Sequence, residues 1–277
     1  MNSTVKSVEA HYTRQGLERI ILTALNEAGI DFDRLKAEDL APIDQFHIGG
    51  RKFTLEFARQ LGLDETMQVL DIGSGLGGAS RCLAVEYGCQ VTGLDLSEEY
   101  CRVASILTQW LGLDSQVSFQ HGNALNMPFA DGTFDLLWTQ HVAMNIADKT
   151  KFYCELWRVL KPGGKLAIYD VLAGEGGSVH FPVPWACEPD NSHLLRPQQL
   201  RNRLEEIGFE VLSWQDATAK GCAWFASMDA KINQKGLPRL GIHLLLGDEF
   251  RLMAQNQVRN LDEGRIVLIE TIMQRPS

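Results

Sequence analysis

The sequence has 277 residues, of which 45% are apolar and 22% are charged, and its formal net charge is −9. This composition is typical of a globular chain long enough to bury a sizeable core. The negative charge argues against a nucleic-acid partner, because polyanion binding relies on clustered Lys and Arg. No run approaches the roughly 20 apolar residues that span a bilayer, so no membrane partner is expected.

The beginning of the sequence and its cysteines indicate a compartment. MNSTVKSVEAHYTRQ has no apolar stretch of the kind found in secretory signals. The six cysteines never occur as CxxC, and we expect them to be small buried hydrophobic residues under reducing conditions. These features favour a cytoplasmic protein.

Hydrophobic periodicity changes along the chain. Residues 1–62 are predicted to be helical, because their apolar residues recur at spacings of three and four. From Gln68 short apolar strands alternate with amphipathic helices, which is typical of a mostly parallel, doubly wound α/β sheet. The predicted strands are Val69–Ile72, Gln90–Asp95, Val117–Gln120, Phe134–Thr139, Lys165–Val171, Phe209–Trp214 and Arg265–Met273.

Two helices between these strands have clear boundary signals. Ser97–Gly112 begins with Ser97 as a plausible N-cap and carries acids in its first turn. Lys149–Leu160 is expected to stop at Lys-Pro-Gly-Gly, which cannot continue a helix. Residues 172–196 and 219–260 do not fit a minimal strand–helix alternation. They are therefore predicted to cover the ligand end of the sheet.

A glycine-rich segment, VLDIGSGLGG, spans Val69–Gly78. It satisfies the pattern GxGxxG, which is typical of dinucleotide binding and hydride transfer, and also DxGxGxG, which is typical of methyl transfer. Either way, glycines allow positive φ and close approach of a ligand to the backbone, and the following helix presents free N–H groups. The two patterns comprise Gly73, Gly75 and Gly78, and Asp71, Gly73, Gly75 and Gly77.

Two carboxylates at strand ends discriminate between these chemistries. Asp71 would be repelled by a dinucleotide pyrophosphate but attracted by the ammonium group of a methionine moiety. Asp95, after the second strand, can accept hydrogen bonds from ribose hydroxyls of either cofactor. The pair favours methyl transfer, and the alternative is that both are exposed strand-end charges.

Four ordered segments resemble the motifs of class I S-adenosylmethionine-dependent methyltransferases. VLDIGSGLGG resembles their first motif and GLDLS the acid of the second strand. GNALNMPFADGTFDLLW resembles the third and fourth strands, and RVLKPGGKLAIYD the fifth. The resemblance implies a Rossmann-like sheet of seven strands with the last one antiparallel. It also implies an N-terminal helical lid (residues 1–62) and a methyltransferase domain (residues 63–277) whose helical cap comprises residues 172–196 and 219–260.

Within this class the chain resembles a small-molecule branch that includes sarcosine/dimethylglycine, phosphoethanolamine and quinone-ring methyltransferases. The donor would be S-adenosyl-L-methionine and the product S-adenosyl-L-homocysteine. The Phe46–Gly50 segment would close over the methionine end of the donor, and Asn123 and Ala124 would flank its adenine. The implied cofactor-binding residues are Phe46, His47, Asp71, Gly73, Gly75, Gly77, Asp95, Leu96, Asn123, Ala124 and Gln140.

The loop after the fourth strand is expected to face the transferred methyl group. His141 is its only side chain that ordinarily titrates near neutrality, so it is the candidate general base; it could instead hydrogen-bond the substrate or pack against the lid. Met144, Asn145 and Trp185 are predicted to bind the substrate. An indole at Trp185 could contact a sulfonium or alkylammonium by a cation–π interaction, or could anchor the cap in the core.

The acceptor is expected to be a small molecule, and an amine such as sarcosine or dimethylglycine is favoured. The phosphoethanolamine enzymes carry an acid and a histidine where this chain has His141 and Asn145, so their substrate cannot be transferred to it. C- or O-methylation of a quinone-like metabolite is the alternative, and an NAD-dependent oxidoreductase is a remote one. His180, Cys187 and His193 are too loosely spaced to suggest a metal site.

Overall fold

The computed structural model describes residues 16–277. Its centre is one seven-stranded sheet in the order β3-β2-β1-β4-β5-β7-β6. Strands β1 to β5 pair in parallel, whereas β7 is antiparallel to both β5 and β6. The strands are β1 Gln68–Ile72, β2 Gln90–Asp95, β3 Val117–His121, β4 Phe134–Gln140, β5 Leu160–Ala173, β6 Glu210–Asp216 and β7 Ile266–Gln274. The prediction of a Rossmann-like seven-stranded sheet with an antiparallel last strand is confirmed.

One predicted boundary is wrong by several residues. Strand β5 begins at Leu160 rather than Lys165, so the Lys-Pro-Gly-Gly segment belongs to the strand. Leu160 already pairs with Phe134, and a register shift between Phe134 and Leu136 accommodates the Pro-Gly-Gly segment. The chain therefore leaves the preceding helix directly into the sheet, without an intervening loop.

Ten α-helices surround the sheet in the described part of the chain. They are α1 Leu17–Glu27, α2 Ala37–Asp44, α3 Gly50–Ala58, α4 Gly78–Tyr87, α5 Glu98–Trp110, α6 Lys149–Val159, α7 Pro197–Ile207, α8 Thr218–Lys235, α9 His243–Leu246 and α10 Phe250–Asp262. The predicted N-cap of α5 is present, since Ser97 Oγ accepts a hydrogen bond from the Tyr100 backbone N–H at 3.3 Å. Within residues 16–277 no helix is long and apolar enough to cross a membrane.

The sheet is buried on both faces because its strands carry apolar side chains on both. In β1, Val69 belongs to one hydrophobic cluster and the adjacent Leu70 to the other. In β4, Leu137 and Trp138 divide in the same way. A third cluster joins α1 and α2 to α5. Helices on both faces thus leave the carboxyl ends of the parallel strands as the place where loops can build a site.

A buried ion pair fastens the N-terminal helices to the helix that follows the glycine-rich segment. Arg81 on α4 is fully buried and donates to Asp44 Oδ2 on α2 at 2.7 Å. The same guanidinium donates to the Leu76 carbonyl oxygen and to Thr108 Oγ1. Burial raises the pKa of Asp44, and the neighbouring Arg81 opposes that rise. The end of α2 is consequently held directly over the loop between β1 and α4.

The prediction of helical structure in residues 1–62 holds for the part that is described, and its first fifteen residues lie outside that part. The 172–196 segment contains a 3₁₀ turn at Pro189–Asn191, and the 219–260 segment contains α9 and most of α8 and α10. Helices α8 and α10 contact each other and β7.

Candidate active site

A cavity of about 1790 Å³ opens at the carboxyl ends of β1, β2 and β4. The N-terminal helices, the loops after these strands and the cap helices surround it. All but one of the side chains and loop positions predicted for the site border this cavity; Gly77 does not. The bordering residues are Phe46, His47, Asp71, Gly73, Gly75, Asp95, Leu96, Asn123, Ala124, Gln140, His141, Met144, Asn145 and Trp185.

The three glycines of the DxGxGxG pattern have different surroundings. Gly75 has φ +54°, and a Cβ placed there would meet nothing within 4 Å. A Cβ at Gly73 would collide with Val142, and one at Gly77 with Phe119. Gly77 is also the left-handed N-cap residue of α4. Gly75 is thus the backbone position that an incoming ligand can approach, while Gly73 and Gly77 allow close packing of neighbouring chain segments.

Asp95 holds the glycine loop to the end of β2. Its Oδ2 accepts a hydrogen bond from the Gly75 N–H at 2.8 Å, and its Oδ1 accepts one from the Ser97 N–H at 2.9 Å. Burial raises the pKa of this carboxyl, and the backbone hydrogen bonds oppose the rise. Each oxygen retains a second lone pair, so the carboxylate can also accept from a ligand hydroxyl.

Asp71 is not the exposed strand-end charge that the alternative interpretation required. It is 3% exposed, and its Oδ2 accepts from Ser80 Oγ at 2.6 Å. Burial raises the pKa of Asp71 to about 7, and the charge of Asp95 adds to the rise. A cationic ligand in the cavity would favour the ionised form and lower this pKa. The environment therefore suits a ligand that carries positive charge.

The loop that is predicted to flank the adenine is held together by the side chain of Asn123. Asn123 Oδ1 accepts from the Leu125 N–H at 2.8 Å, and Asn123 forms an isolated bridge with Asn126. The carboxamide NH₂ group of Asn123 can therefore donate a hydrogen bond to a nucleobase. Ala124 is next to it on the cavity wall.

His141 has a left-handed backbone conformation, which is uncommon for a residue other than glycine. Its φ is +53°, and no other non-glycine residue among residues 16–277 has a positive φ. A hydrogen bond from the His141 N–H to the Tyr169 carbonyl oxygen, at 2.8 Å, holds it in place. Such conformations cluster at functional sites, because the surroundings must impose them.

The imidazole of His141 is neutral at physiological pH. Burial, and next the nearby His47, lower its pKa well below 6.5. Its Nε2 has no hydrogen-bond partner among the described residues, and neither has Gln140 Nε2 or Ser74 Oγ on the same cavity wall. The structure therefore revises the expectation that His141 titrates near neutrality. It presents an uncharged ring with an unused nitrogen.

His47 is held by a polar cluster that sequence reasoning missed. Its Nε2 lies 2.9 Å from Gln45 Oε1 and 3.0 Å from Thr54 Oγ1, and its Nδ1 lies 3.2 Å from the Ile48 carbonyl oxygen. Thr54 Oγ1 is also 3.4 Å from Gln140 Oε1. Burial lowers the pKa of His47 to about 4. The cluster links the N-terminal segment to the end of β4, a contact that no local pattern reveals.

Tyr169 is a second residue that sequence reasoning missed. It lies on β5, and its ring stacks on Phe53 with centroids 3.8 Å apart and on a tilted His141 at 4.9 Å. Its hydroxyl is buried and has no hydrogen-bond partner among the described residues. Burial raises the pKa of Tyr169, so the hydroxyl stays protonated. Its place in the IYD end of the fifth-strand motif is the one signal that could have indicated it.

Asn145 and Trp185 join the loop after β4 to the 172–196 segment. Asn145 Nδ2 donates to the Trp185 carbonyl oxygen at 2.7 Å and to the Asn191 carbonyl oxygen at 3.1 Å. The Trp185 indole is 2% exposed, and its Nε1 donates to Ser192 Oγ at 3.0 Å. Trp185 thus packs as an anchor of this segment while also bordering the cavity.

A buried acid and base support the same loop from below. Asp170 accepts from the Ala143 N–H at 3.0 Å, and Lys149 Nζ donates to the Ala143 carbonyl oxygen. Burial raises the pKa of Asp170 and lowers that of Lys149, and the two charges oppose these shifts. Among residues 16–277 no group of His, Cys, Asp and Glu side chains is arranged to hold a metal ion.

Comparison with known proteins shows similarity to methyltransferases. Residues 70–168 match a family model described as a methyltransferase domain. The chain is 42% identical over 192 residues to the chloroplastic tocopherol O-methyltransferase of Arabidopsis thaliana, covering 62% of this chain and 53% of that protein. It is 31% identical over 161 residues to the sarcosine/dimethylglycine N-methyltransferase of Halorhodospira halochloris, covering 58% and 57%.

The likeness in fold extends over nearly the whole chain. The structure of geranyl diphosphate C-methyltransferase from Streptomyces coelicolor A3(2), solved with S-adenosyl-L-homocysteine, superposes with a TM-score of 0.72 at 14% identity, covering 99% of this chain and 98% of that one. The chain spans between 28% and 57% of the lengths of eight curated relatives that it matches. Residues 70–168 are therefore similar to a methyltransferase domain, and the chain has the Rossmann-like fold of the solved structures that it resembles.

Proposed function

We propose that this protein is an enzyme that transfers the methyl group of S-adenosyl-L-methionine to a small-molecule acceptor. One observation carries the proposal. Gly75 with its open surroundings, Asp95, and His141, whose buried Nε2 has no hydrogen-bond partner among the described residues, all border one cavity. A donor held by the glycine loop and an acceptor beside His141 would share an enclosed space, as in-line transfer requires.

The residues on the cavity wall fit this donor. When bound, S-adenosyl-L-methionine supplies a methyl carbon activated by a sulfonium, so the protein mainly aligns the reactants and excludes water. Asp95 would accept from the ribose hydroxyls, and Asn123 and Ala124 would flank the adenine. Asp71 would face the methionine ammonium, whose charge suits its buried carboxyl.

His141 is the proposed proton acceptor at the methyl end. Its neutral Nε2 can take the proton that an acceptor N–H or O–H loses as the new bond to carbon forms. A depressed pKa makes His141 a weak base, so the same nitrogen would serve an amine that binds already neutral by positioning it.

N-methylation of an amine, for which sarcosine or dimethylglycine is the sequence-based example, is the first alternative for the acceptor. O- or C-methylation of a quinone-like metabolite is the second. The names of similar proteins support both, since they include N- and O-methyltransferases. A cytoplasmic location and the division at residue 62 also remain proposals.

Calorimetric titration tests the donor. We expect S-adenosyl-L-homocysteine to bind and NAD not to bind. Incubation with methyl-labelled S-adenosyl-L-methionine and a metabolite panel, followed by mass spectrometry, should then yield a labelled product. Binding of NAD without S-adenosyl-L-homocysteine would contradict the proposal. If S-adenosyl-L-homocysteine binds but no compound of the panel is methylated, the protein keeps the donor site and lacks catalysis.

A further inference from the structure

Helix α8 exposes an apolar stripe to the cavity. Trp224, Phe225, Met228 and Ile232 all border it and are only partly buried. Their spacings of one, three and four residues place them on one face of the helix. In α8, Gly221 alone is buried. Trp224 and Phe225 pack in part against the hydrophobic cluster on one face of the sheet, whereas Met228 and Ile232 do not belong to that cluster, so packing against the sheet uses only part of this face.

A second apolar surface borders the same cavity. Phe250, Ala254 and Val258 of α10, at spacings of four, line it, as do Leu245 and Leu246 of α9. These side chains are only partly buried. Helices α8 and α10 contact each other, yet apolar side chains of both border the cavity. We call this part of the cavity, bounded by the residues named on α8, α9 and α10, the cap chamber.

The chamber and the His141 end of the cavity differ in chemistry. At the His141 end the lining includes the uncharged polar side chains of Gln140 and His141. Two arginines that border the cavity are already paired with carboxylates, since Arg51 is 2.6 Å from Glu86 and Arg259 is 2.7 Å from Glu263. Lys231 and Lys235 border it as well, at exposed positions of α8. The arginines are therefore not preorganised to recognise a small anionic acceptor, and the lysines are solvated.

The size of the cavity also argues against a very small acceptor. Sites for small molecules usually measure about 300–1,000 Å³. The cavity here is about 1790 Å³, so a donor and a molecule as small as sarcosine would leave much of its apolar wall in contact with water.

We infer that the acceptor is amphiphilic, with its nucleophilic nitrogen or oxygen at the His141 end and a bulky hydrocarbon portion in the cap chamber. The inference rests on the proposed methyl transfer and specifies its substrate class. Burial of the hydrocarbon would supply most of the acceptor's binding free energy, and the uncharged polar end would orient the nucleophile.

A homologous series tests this inference. N-methylalkylamines from butyl to decyl, kept below their micelle concentrations, and sarcosine are titrated into the protein saturated with S-adenosyl-L-homocysteine. Each added methylene should tighten binding about three- to fourfold until the chamber is filled, since a buried methylene contributes about 0.8 kcal/mol. Affinity that does not depend on chain length, or sarcosine binding as tightly as the decylamine, would overturn the inference.

The same series without S-adenosyl-L-homocysteine separates the two proposals. If the protein binds long amines but not S-adenosyl-L-homocysteine, the result supports the cap chamber and contradicts methyl transfer. If it binds S-adenosyl-L-homocysteine but amine affinity does not depend on chain length, the result supports methyl transfer and contradicts the cap chamber.

Two matched substitutions locate the effect. Met228→Lys places a charge on the chamber face of α8 and should reduce decylamine affinity at least tenfold while leaving S-adenosyl-L-homocysteine affinity unchanged. Ala230→Lys places the same side chain on an exposed position of α8 that does not border the cavity. It should leave both affinities unchanged. Equal losses in the two variants would show that the chain-length dependence arises outside the chamber.

Discussion

His141 donates its backbone N–H to the carbonyl oxygen of Tyr169, and the two rings lie with their centroids 4.9 Å apart. This pairing ties the first residue after β4 to the neighbouring strand β5. It holds His141 at φ +53°, a conformation that a histidine rarely adopts on its own. The result is a fixed, uncharged imidazole in the cavity lining, next to the buried ring of Tyr169.

Substitution of Gly75 tests the donor loop. Gly75→Val places a branched side chain in the open space where the donor should approach, so we expect S-adenosyl-L-homocysteine binding to be lost. Gly62→Val is the matched control, because Gly62 has a similar φ of +68°, has equally open surroundings and does not border the cavity. Calorimetry should show that the control binds normally, and both variants should lose similar melting temperature from backbone strain. Normal binding by Gly75→Val would contradict the loop assignment.

Asp95→Ala tests the ribose contact. The carboxylate holds the Gly75 and Ser97 amides and should also bind two hydroxyls. Its removal should weaken S-adenosyl-L-homocysteine binding tenfold or more, because charge-assisted hydrogen bonds contribute roughly 1.5–3 kcal/mol each. Asp95→Asn should lose less. Asp135→Ala is the control, since Asp135 likewise accepts a backbone N–H, from Gln68, at the opposite end of a strand. Equal affinity in all of these proteins would limit Asp95 to a structural role.

His141→Ala tests the chemistry. If Nε2 takes the acceptor proton, the maximal rate should fall about a hundredfold or more, while donor affinity barely changes. His141→Asn separates this effect from backbone strain, because Asn tolerates a positive φ better than Ala does. The two variants should be similarly slow. If His141 only positions the acceptor, His141→Gln should keep most of the rate and raise the Michaelis constant. An unchanged rate and Michaelis constant in His141→Ala would exclude His141 from the site.

The rate of the wild-type enzyme should be insensitive to pH near neutrality. Burial lowers the pKa of His141 well below 6.5, so its neutral form predominates at pH 7 and is lost only in acid. We expect an acidic limb in a plot of the maximal rate against pH, well below pH 6.5, and its absence in His141→Gln. A limb centred between pH 6.5 and 7.5 that disappears in the variant would show that His141 is more solvated than the structure indicates.

His47 should make stability depend on pH. Its pKa is about 4 in the folded protein and 6.5 in the unfolded chain. Between these values the unfolded chain binds a proton that the folded protein does not, so stability falls as pH decreases from 6.5 to 4, by at most about 3 kcal/mol. Comparing urea unfolding of wild type with His47→Gln isolates this effect from the opposite trend of Asp71, whose raised pKa disfavours folding as pH rises. A constant difference between the two proteins would contradict the buried, neutral state of His47.

The sequence by itself determined the sheet and the position of the glycine-rich loop after β1. Alternating apolar strands and helices, the DxGxGxG pattern and Asp95 are local signals, because each depends on spacing within one strand–loop–helix unit. Ser97 as an N-cap is of the same kind. These units are therefore predicted correctly. Lys-Pro-Gly-Gly does end α6 as predicted, but the same segment already belongs to β5, which begins at Leu160 and not at Lys165.

Only the tertiary structure decided how the acceptor end is built. The cluster of His47, Gln45 and Thr54, the stacking of Tyr169 on Phe53 and the cap chamber join segments that are far apart in the chain. The tertiary structure also determines that His141 is uncharged. From the sequence alone, a side chain can be assigned only its ordinary pKa. In the folded protein desolvation shifts that pKa, and the extent of desolvation depends on the segments that pack around the side chain.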